Sequence, residues 1–393
     1  MKDNADPKTQ KSIAFVWDAL APQHVDKLNA LVGMFQNIYG VQVYPTSWNY
    51  KWTWLPDANF DPLVVLKKRT GPIGRIFVIP VWCVIARFRR KIPIWVLCNY
   101  EELYTFFSAI LLRLTGAKVY VVQNSKFDDY QRKLPMEIVK SIMYAPYNGA
   151  IVSGERTRSY LRFLGMRGPI QYGYNVADTE RLGAFNQEPG PAFADRPFLW
   201  VGRLIPKKNF AMLVRAYAEY CKRCPGAPRG LTVIGDGPES ENVRALAKEL
   251  GVLDRMTFHT WTDQPVVMKA MAESLYLLLP SITEQFGNVV GEAFSVGLPA
   301  IITNNAGATD RILWEFRSGF SIPPTDAASW AQALLDVSDN EALWLRLRAG
   351  ARDAVRYFSL DAWRAGLSKL IDGEDADDDA PQVELVESYA ARD

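Results

Sequence analysis

Short apolar runs alternate with longer amphipathic stretches along most of this chain. Ile13–Trp17, Val41–Tyr44, Ile94–Cys98, Lys118–Gln123 and Ala150–Ser153 read as buried strands. His24–Tyr39, Glu101–Thr115, Leu134–Tyr147 and Arg156–Gly165 read as helices between and after them, with Gly116 closing the second. A second alternation starts at Phe198. It runs through Leu231–Ile234, Met256–His259, Tyr276–Leu279, Ala300–Thr303 and Gly319–Ile322, each followed by a helical segment. The pattern predicts an α/β protein of two Rossmann-like, doubly wound domains with parallel sheets. Gln171–Asp195 loses periodicity and collects Gly, Pro, Asn and Asp, which places a linker there. The expected division is a first domain over 1–175, a linker over 176–196 and a second domain over 197–358. A helix over 359–372 and an acidic, disordered tail over 373–393, carrying all but the first residue of the run DGEDADDD that begins at Asp372, complete it.

Composition narrows the class. A length of 393 residues accommodates two domains with sizeable cores, and 49% hydrophobic against 22% charged residues describes a globular protein. A net charge of +2 with no recognition motif argues against nucleic acid as a partner. Four cysteines argue against a disulfide framework, and Cys221 and Cys224 lack the second pair that a zinc site needs. The first residues, MKDNADPKTQKS, hold no apolar core of a signal peptide, so a cytoplasmic protein is expected. The longest apolar stretch, Ile76–Ala86, is too short to span a membrane. From Pro62 to Tyr100 there is no acid but eight cations, Lys67, Lys68, Arg69, Arg75, Arg87, Arg89, Arg90 and Lys91. They bracket IFVIPVWCVIARF, with Trp82 and Phe88. This suits a peripheral contact with an anionic leaflet, or a buried element with a solvated basic flank; Pro80 is expected to interrupt any single long helix there.

The candidate chemistry lies in the second half. Ser281–Pro299 holds Glu284 and Glu292 with seven residues between them. Glu284 leaves a buried strand, and Glu292 sits one turn inside a helix expected to start near Asn288. A helix N-terminus attracts phosphate, and carboxylates beside it bind hydroxyl groups of a sugar. Two surface glutamates at that spacing are common by themselves. Upstream, in Phe198–Phe210, a strand ends in Gly202, and Arg203 and Lys208 follow on a short turn, two cations able to converge on a diphosphate. In Leu231–Glu239 a strand ends in Gly235, Asp236, Gly237 and Pro238, a tight turn that brings backbone close to a ligand. All three signals fall at carboxyl ends of strands, where open α/β sheets bind ligands.

With these motifs, residues 197–322 resemble the C-terminal domain of a GT-B glycosyltransferase of family 4, the large retaining class also described as glycosyl transferases group 1. The matching positions are Gly202-Arg203…Lys208, Gly235-Asp236-Gly237 and Glu284…Glu292. The resemblance implies two domains facing across a cleft and a final helix that returns to the first. It implies glycosyl transfer from a nucleoside-diphosphate sugar, with retention of configuration and no required metal or other cofactor. It also implies roles. Arg203 and Lys208 grip the diphosphate, and Glu292 binds the ribose hydroxyls. Glu284 stands against the donor sugar, and Gln285, Phe286, Gly287 and Asn288 touch its hydroxyls. N–H groups near Val289 and Val290 cap a phosphate, and His259 and Thr260 meet the base. The acceptor would be a saccharide or lipid-linked, in the synthesis of a bacterial surface polysaccharide or glycolipid. A sugar-nucleotide epimerase, a phosphorylase or a catalytically inactive nucleotide- or glycan-binding homologue are the alternatives.

The first half departs from the family's pattern. Its first loop, Asp18–His24, has no glycine, and Val121–Ser125 lacks the histidine that many relatives place after a central strand. His24 stands as a substitute imidazole or as a plain helix N-terminal residue. Gln123 and Asn124 are candidates for a sugar hydroxyl. Asp128 and Asp129 read as helix N-terminal acids. Trp52 and Trp54 point the same way on an extended segment, as an acceptor platform or as cover for a core edge.

Overall fold

The computed structural model describes residues 11–46, 57–68, 70–185, 190–260, 262–313 and 317–376. The chain forms two compact units. The first takes Met1–Asp178 and Ser359–Asp377, and the second takes Thr179–Phe358 with the last residues. Trp52, Trp54 and Arg69, together with the tail from 377 onward, lie outside the described residues.

In the first unit the strands are β1 (Ser12–Trp17), β2 (Asn37–Gln42), β3 (Asp61–Val64), β4 (Ile94–Leu97), β5 (Lys118–Gln123), β6 (Gly149–Val152) and β7 (Ile170–Tyr172). Its helices are α1 (Pro22–Asn29), α2 (Pro72–Arg89), α3 (Leu103–Leu114), α4 (Leu134–Tyr144) and α5 (Glu155–Phe163). In the second unit come α6 (Thr179–Gly183), β8 (Phe198–Val201), α7 (Phe210–Arg223), β9 (Leu231–Ile234), α8 (Ser240–Glu249), β10 (Met256–His259), α9 (Gln264–Glu273) and β11 (Leu277–Leu279). They are followed by α10 (Asn288–Ser295), β12 (Ala300–Thr303), β13 (Gly319–Ile322), α11 (Ala327–Ser338) and α12 (Glu341–Ala354). The last helix, α13 (Leu360–Asp372), belongs to the first unit.

Both sheets are parallel. Their strand orders are β3-β2-β1-β4-β5-β6-β7 and β10-β9-β8-β11-β12-β13. Parallel sheets carry helices on both faces, so their strands are apolar throughout. Strand β1 is buried along its length. Ile13, Phe15 and Trp17 pack on the side of Leu28, Trp363 and Leu367, while Ala14 and Val16 pack on the side of Ile79, Cys83 and Tyr104. In the second unit Trp200, Tyr217, Tyr220, Tyr276 and Trp330 centre the core. Each sheet has one topological switch point, β1/β4 in the first and β8/β11 in the second.

Four expectations are corrected. The helix read over His24–Tyr39 ends at Asn29; Gly33 takes φ +87°, and Asn37 onward joins β2 in register with Ser12. A strand buried on both faces is continuously apolar, and such a run also fits a helical period. Pro80 does not interrupt α2, which runs unbroken over 18 residues. Pro80 is buried with Ile79, Cys83 and Ala86 on the core side, and the packing compensates the lost backbone bond. The aperiodic stretch Gln171–Asp195 contributes to β7 and contains α6. Finally, residues 373–376 are ordered along β7: Ala376 N donates to Ile170 O (2.9 Å), Ile170 N donates to Asp375 (3.0 Å), and Arg162 pairs with Asp375.

Candidate functional site

The second unit gathers its candidate residues outside the β8/β11 switch point. Gly202, Arg203 and Lys208 follow β8, and Ser281 to Gly287 follow β11. Lys208 is ion-paired with Glu284 through Oε2, and the Ser281 hydroxyl donates to the same oxygen (3.1 Å). Both charged side chains are largely buried, at 18% and 14% exposure. Arg203 is exposed and makes no ion pair among the described residues. The two cations expected to converge are thus in different states: Lys208 is committed to a carboxylate, and Arg203 is open.

Glu292 lies in the second turn of α10 and is half-buried, with no hydrogen bond or ion pair among the described residues. Burial alone pushes its carboxyl up to about 7. Gly287 caps α10 at φ +94°, where a side chain would be strained.

The loop over 284–288 is partly committed to its own fold. Glu284 O accepts from Gly307 N (3.3 Å), and Phe286 O accepts from Ala308 N (2.8 Å). The Phe286 ring is buried and stacked on Phe358 at 6.3 Å between centroids, so its side chain belongs to the core. Val290 N donates to Gly287 O (2.9 Å), which removes it from the expected phosphate cap. The N–H groups of Gly287 and Val289 make no backbone hydrogen bond among the described residues, and these two remain for an anion. Gln285 and Asn288 are exposed beside them.

The turn Gly235–Gly237 has a reason that the sequence did not show. A Cβ on Gly235, at φ +137°, would lie 1.8 Å from Gly202 O, and one on Gly237 would lie 2.3 Å from Leu204 O. Leu204 N and Glu239 N complete the contact through Asp236 O (2.9 Å) and Leu204 O (3.0 Å). The glycines therefore let the β9 loop touch the β8 loop that carries Arg203. Asp236 accepts from Gly237 N (2.7 Å) and the Ser240 hydroxyl (2.5 Å), at the start of α8. His259 O accepts from Gly235 N (2.9 Å), which ties the end of β10 to the same turn; His259 and Thr260 are exposed.

Residues 187–354 match the family described as glycosyl transferases group 1. The second unit is a glycosyl transferases group 1 domain. The lipopolysaccharide core biosynthesis glycosyltransferase LpsE of Rhizobium meliloti (strain 1021) is 30% identical over 204 residues, 51% of this chain and 56% of that protein. A D-inositol 3-phosphate glycosyltransferase of Nocardioides sp. (strain ATCC BAA-499 / JS614) is 32% identical over 174 residues, 41% of this chain and 38% of that protein. The chain thus spans about half the length, or less, of the curated relatives it matches. Sucrose-phosphate synthase of Thermosynechococcus elongatus has the same fold over 92% of this chain and 98% of its own, with a TM-score of 0.70 at 18% identity. Anabaena Alr3699/HepE, solved in complex with UDP and glucose, covers 92% of this chain and 100% of its own, with a TM-score of 0.70 at 14% identity. With a Rossmann-like sheet in each unit, the fold is GT-B.

Three residues outside the sequence motifs hold the group 1 domain's site in shape. Asn209, at φ +55°, donates to Pro280 O (3.1 Å) and Pro324 O (2.7 Å), which anchors the Lys208 turn. Asn305 donates to Ile282 O (2.9 Å). A Cβ on Gly307 would lie 2.1 Å from Gln285 O. Nothing in the local sequence pattern distinguishes these from ordinary loop residues, because their partners are distant in the chain.

In the first unit, several candidates turn out to be structural. His24 stacks on Trp17 (4.5 Å) and accepts from Ala21 N through Nδ1 (3.1 Å), capping α1. Burial, with Lys27 nearby, lowers its pKa to about 3, so it is neutral at pH 7 and is not a proton donor there. Gln123 accepts from Asn124 N (2.7 Å) and Ser125 N (2.9 Å) and donates to the Tyr144 hydroxyl, so its amide is consumed by the turn after β5. Asn124 keeps a buried Oδ1 with no partner among the described residues. Asp129 is buried against Lys126 (2.8 Å), and Asp128 pairs with Lys126 (3.2 Å) and Arg156 (2.9 Å). These acids balance a buried lysine.

Proposed function

We propose that this protein is a retaining glycosyltransferase that moves a sugar from a nucleoside-diphosphate sugar to a saccharide or lipid-linked acceptor, in the assembly of a surface polysaccharide or glycolipid. The observation that carries this reading is the Lys208–Glu284 pair at the β8/β11 switch point. It holds a cation where ligands bind such sheets, against a carboxylate that a diphosphate can replace. Arg203, Lys208 and the N-terminus of α10 would neutralise the leaving diphosphate, so the reaction would need no metal. The bond from the anomeric carbon to the β-phosphate oxygen breaks, and its electron pair leaves with the diphosphate. The acceptor hydroxyl bonds to the same face of that carbon, and its proton passes to the departing phosphate. Glu284, freed from Lys208, would stabilise the positive charge on the sugar. Glu292 would accept from the ribose hydroxyls.

A thermal-shift panel with UDP, GDP, dTDP and ADP tests this first, followed by their sugars. A ligand at about 100 times its Kd adds roughly 2.7 kcal/mol. The expected result is one base that stabilises the protein and whose sugar is consumed only with an acceptor. Stabilisation by none of them would overturn the reading. Interconversion of sugars without an acceptor would replace it with an epimerase.

The same reading places the first unit on the anionic inner face of a membrane. No described helix is long and apolar enough to cross one. Helix α2, however, turns a line of apolar side chains outward: Ile73, Phe77, Val81, Ile85 and Phe88 are all exposed. Arg89 and Lys91 follow at its end. A cationic helix with an exposed apolar stripe suits an anionic interface. Arg87 is not part of that surface. It donates to Ile92 O (2.8 Å), Thr115 Oγ1 (3.2 Å) and Thr115 O (3.2 Å), closing the ends of α2 and α3.

A further inference from the structure

Lys27 is a buried cation without a counter-charge. It lies on α1 at 3% exposure; its carbonyl accepts from Trp363 Nε1 (3.0 Å), but its ammonium makes no hydrogen bond or ion pair among the described residues. Its ammonium stands 4.3 Å from the centre of the Tyr174 ring. A ring face attracts a cation, but less than its lost hydration costs, and buried charges are ordinarily paired.

No carboxylate pairs with the ammonium among the described residues; Asp26 on the same helix acts on it only through space, and Glu101 acts likewise on Cys98 and Tyr174. Cys98 is buried nearby, and burial holds its thiol well above its ordinary range, so it is not a thiolate. Asp26 is the adjacent helix position, and neighbours in sequence do not face each other on a helix. His24, one turn earlier, is neutral. Tyr174 is held protonated by burial. Lys27 itself is lowered to about 8 by burial, offset in part by the charge of Asp26.

The position is informative. Cys98 directly follows β4, Tyr174 follows β7, and Trp17 ends β1. All three pack on the sheet face that α1 covers. A lysine on α1 leans toward the helix N-terminus, which is the end that adjoins β1's carboxyl end. The ammonium therefore sits at the carboxyl edge of the first sheet, by the β1/β4 switch point. We propose that Lys27 anchors an oxyanion site in the first unit, taking a phosphate or carboxylate carried by the acceptor. This rests on the reading of that unit as the acceptor side. It narrows the acceptor to one bearing a negative charge near the hydroxyl that reacts.

The test uses the full wild-type chain. It is labelled briefly with acetic anhydride at pH 8, and the Lys27 peptide is quantified by mass spectrometry. Inorganic phosphate, sodium formate and sodium chloride are compared at equal ionic strength. The expected result is that Lys27 is acetylated in chloride and protected in one oxyanion arm, by a factor that follows the ratio of anion concentration to its Kd. The protecting arm names the group. An unlabelled Lys27, or equal labelling in all three salts, would overturn the proposal. A second measurement compares variants. The rise in Tm caused by the protecting anion should be lost in Lys27→Met and kept in Lys27→Arg; an equal rise in Lys27→Met refutes it. UDP binding is followed in the same samples. Its absence counts against the transferase reading and leaves the labelling result standing.

Discussion

The ammonium of Lys208 is held by the carboxylate of Glu284, 76 positions later in the chain. They meet because β8 and β11 are neighbours in the sheet and their following loops are tied together. Ile282 N donates to Lys207 O (2.9 Å), and Asn209 reaches Pro280 O. Two residues read as separate ligands of a donor therefore form one unit before any donor arrives.

If that pair is a unit, its two halves are coupled energetically. Lys208→Met strands a largely buried carboxylate, and Glu284→Gln strands a largely buried ammonium. Each should cost about 1–3 kcal/mol, the worth of a hydrogen bond to a charged group. The double variant should cost less than the sum, by about 0.5–3 kcal/mol. Urea unfolding of the four proteins measures this. Strict additivity would show that the two do not interact in solution.

If Glu292 binds the ribose as proposed, donor binding depends on pH. Its carboxyl is raised from 4.5 to about 7, so the native state holds a proton that the unfolded state has lost between those values. The free protein should lose stability as pH rises through that window and level off above it. Hydroxyl donors favour the ionised form, so binding a nucleoside diphosphate should release a proton. Affinity should then climb as pH rises toward 7. Calorimetry in buffers of different ionisation enthalpy reads the proton directly. Glu292→Gln should abolish both trends, and an unchanged pH profile in that variant would remove Glu292 from the ribose.

Gly235 admits no side chain. Gly235→Ala places a Cβ against Gly202 O at a φ that L-residues rarely adopt. The expected loss is about 3 kcal/mol or more, from backbone strain and forced separation of the loops. Gly226→Ala, where nothing lies within 4 Å, is the control and should stay within roughly 0.5 kcal/mol of the parent. Equal midpoints for the two variants in urea would contradict the close approach.

The outward stripe of α2 separates docking from stability. Phe77→Gln with Phe88→Gln should reduce sedimentation with anionic vesicles and leave Tm unchanged. Arg87→Gln should do the reverse, lowering stability by about 1–3 kcal/mol through its lost backbone contacts. Vesicle pelleting that is insensitive to both aromatic changes would rule out this face.

Much of the architecture was legible in the residues. Strands Leu231–Ile234, Met256–His259, Ala300–Thr303 and Gly319–Ile322 begin and end where the apolar pattern places them. A strand buried on both faces between Gly, Pro and polar turns leaves few alternatives. The helix start at Asn288 was equally plain, because Gly287 is the one residue there suited to a left-handed cap. Where the local pattern was ambiguous it misled. Ile38 and Tyr39 fit the end of a helical stripe as well as a buried strand, and only pairing with β1 chose between them.

Sequence alone determined the element order and which residue types could meet a sugar and a diphosphate, because both follow from local periodicity and side-chain chemistry. Tertiary structure decided the state of each. It committed Lys208 to Glu284, and it left Glu292 unpaired and shifted by burial. It turned His24 and Gln123 into scaffold, and it buried the Lys27 ammonium against a ring with no carboxylate paired to it. Pairing and desolvation depend on what the fold brings within a few ångströms, often from a hundred residues away, and no local pattern carries that information.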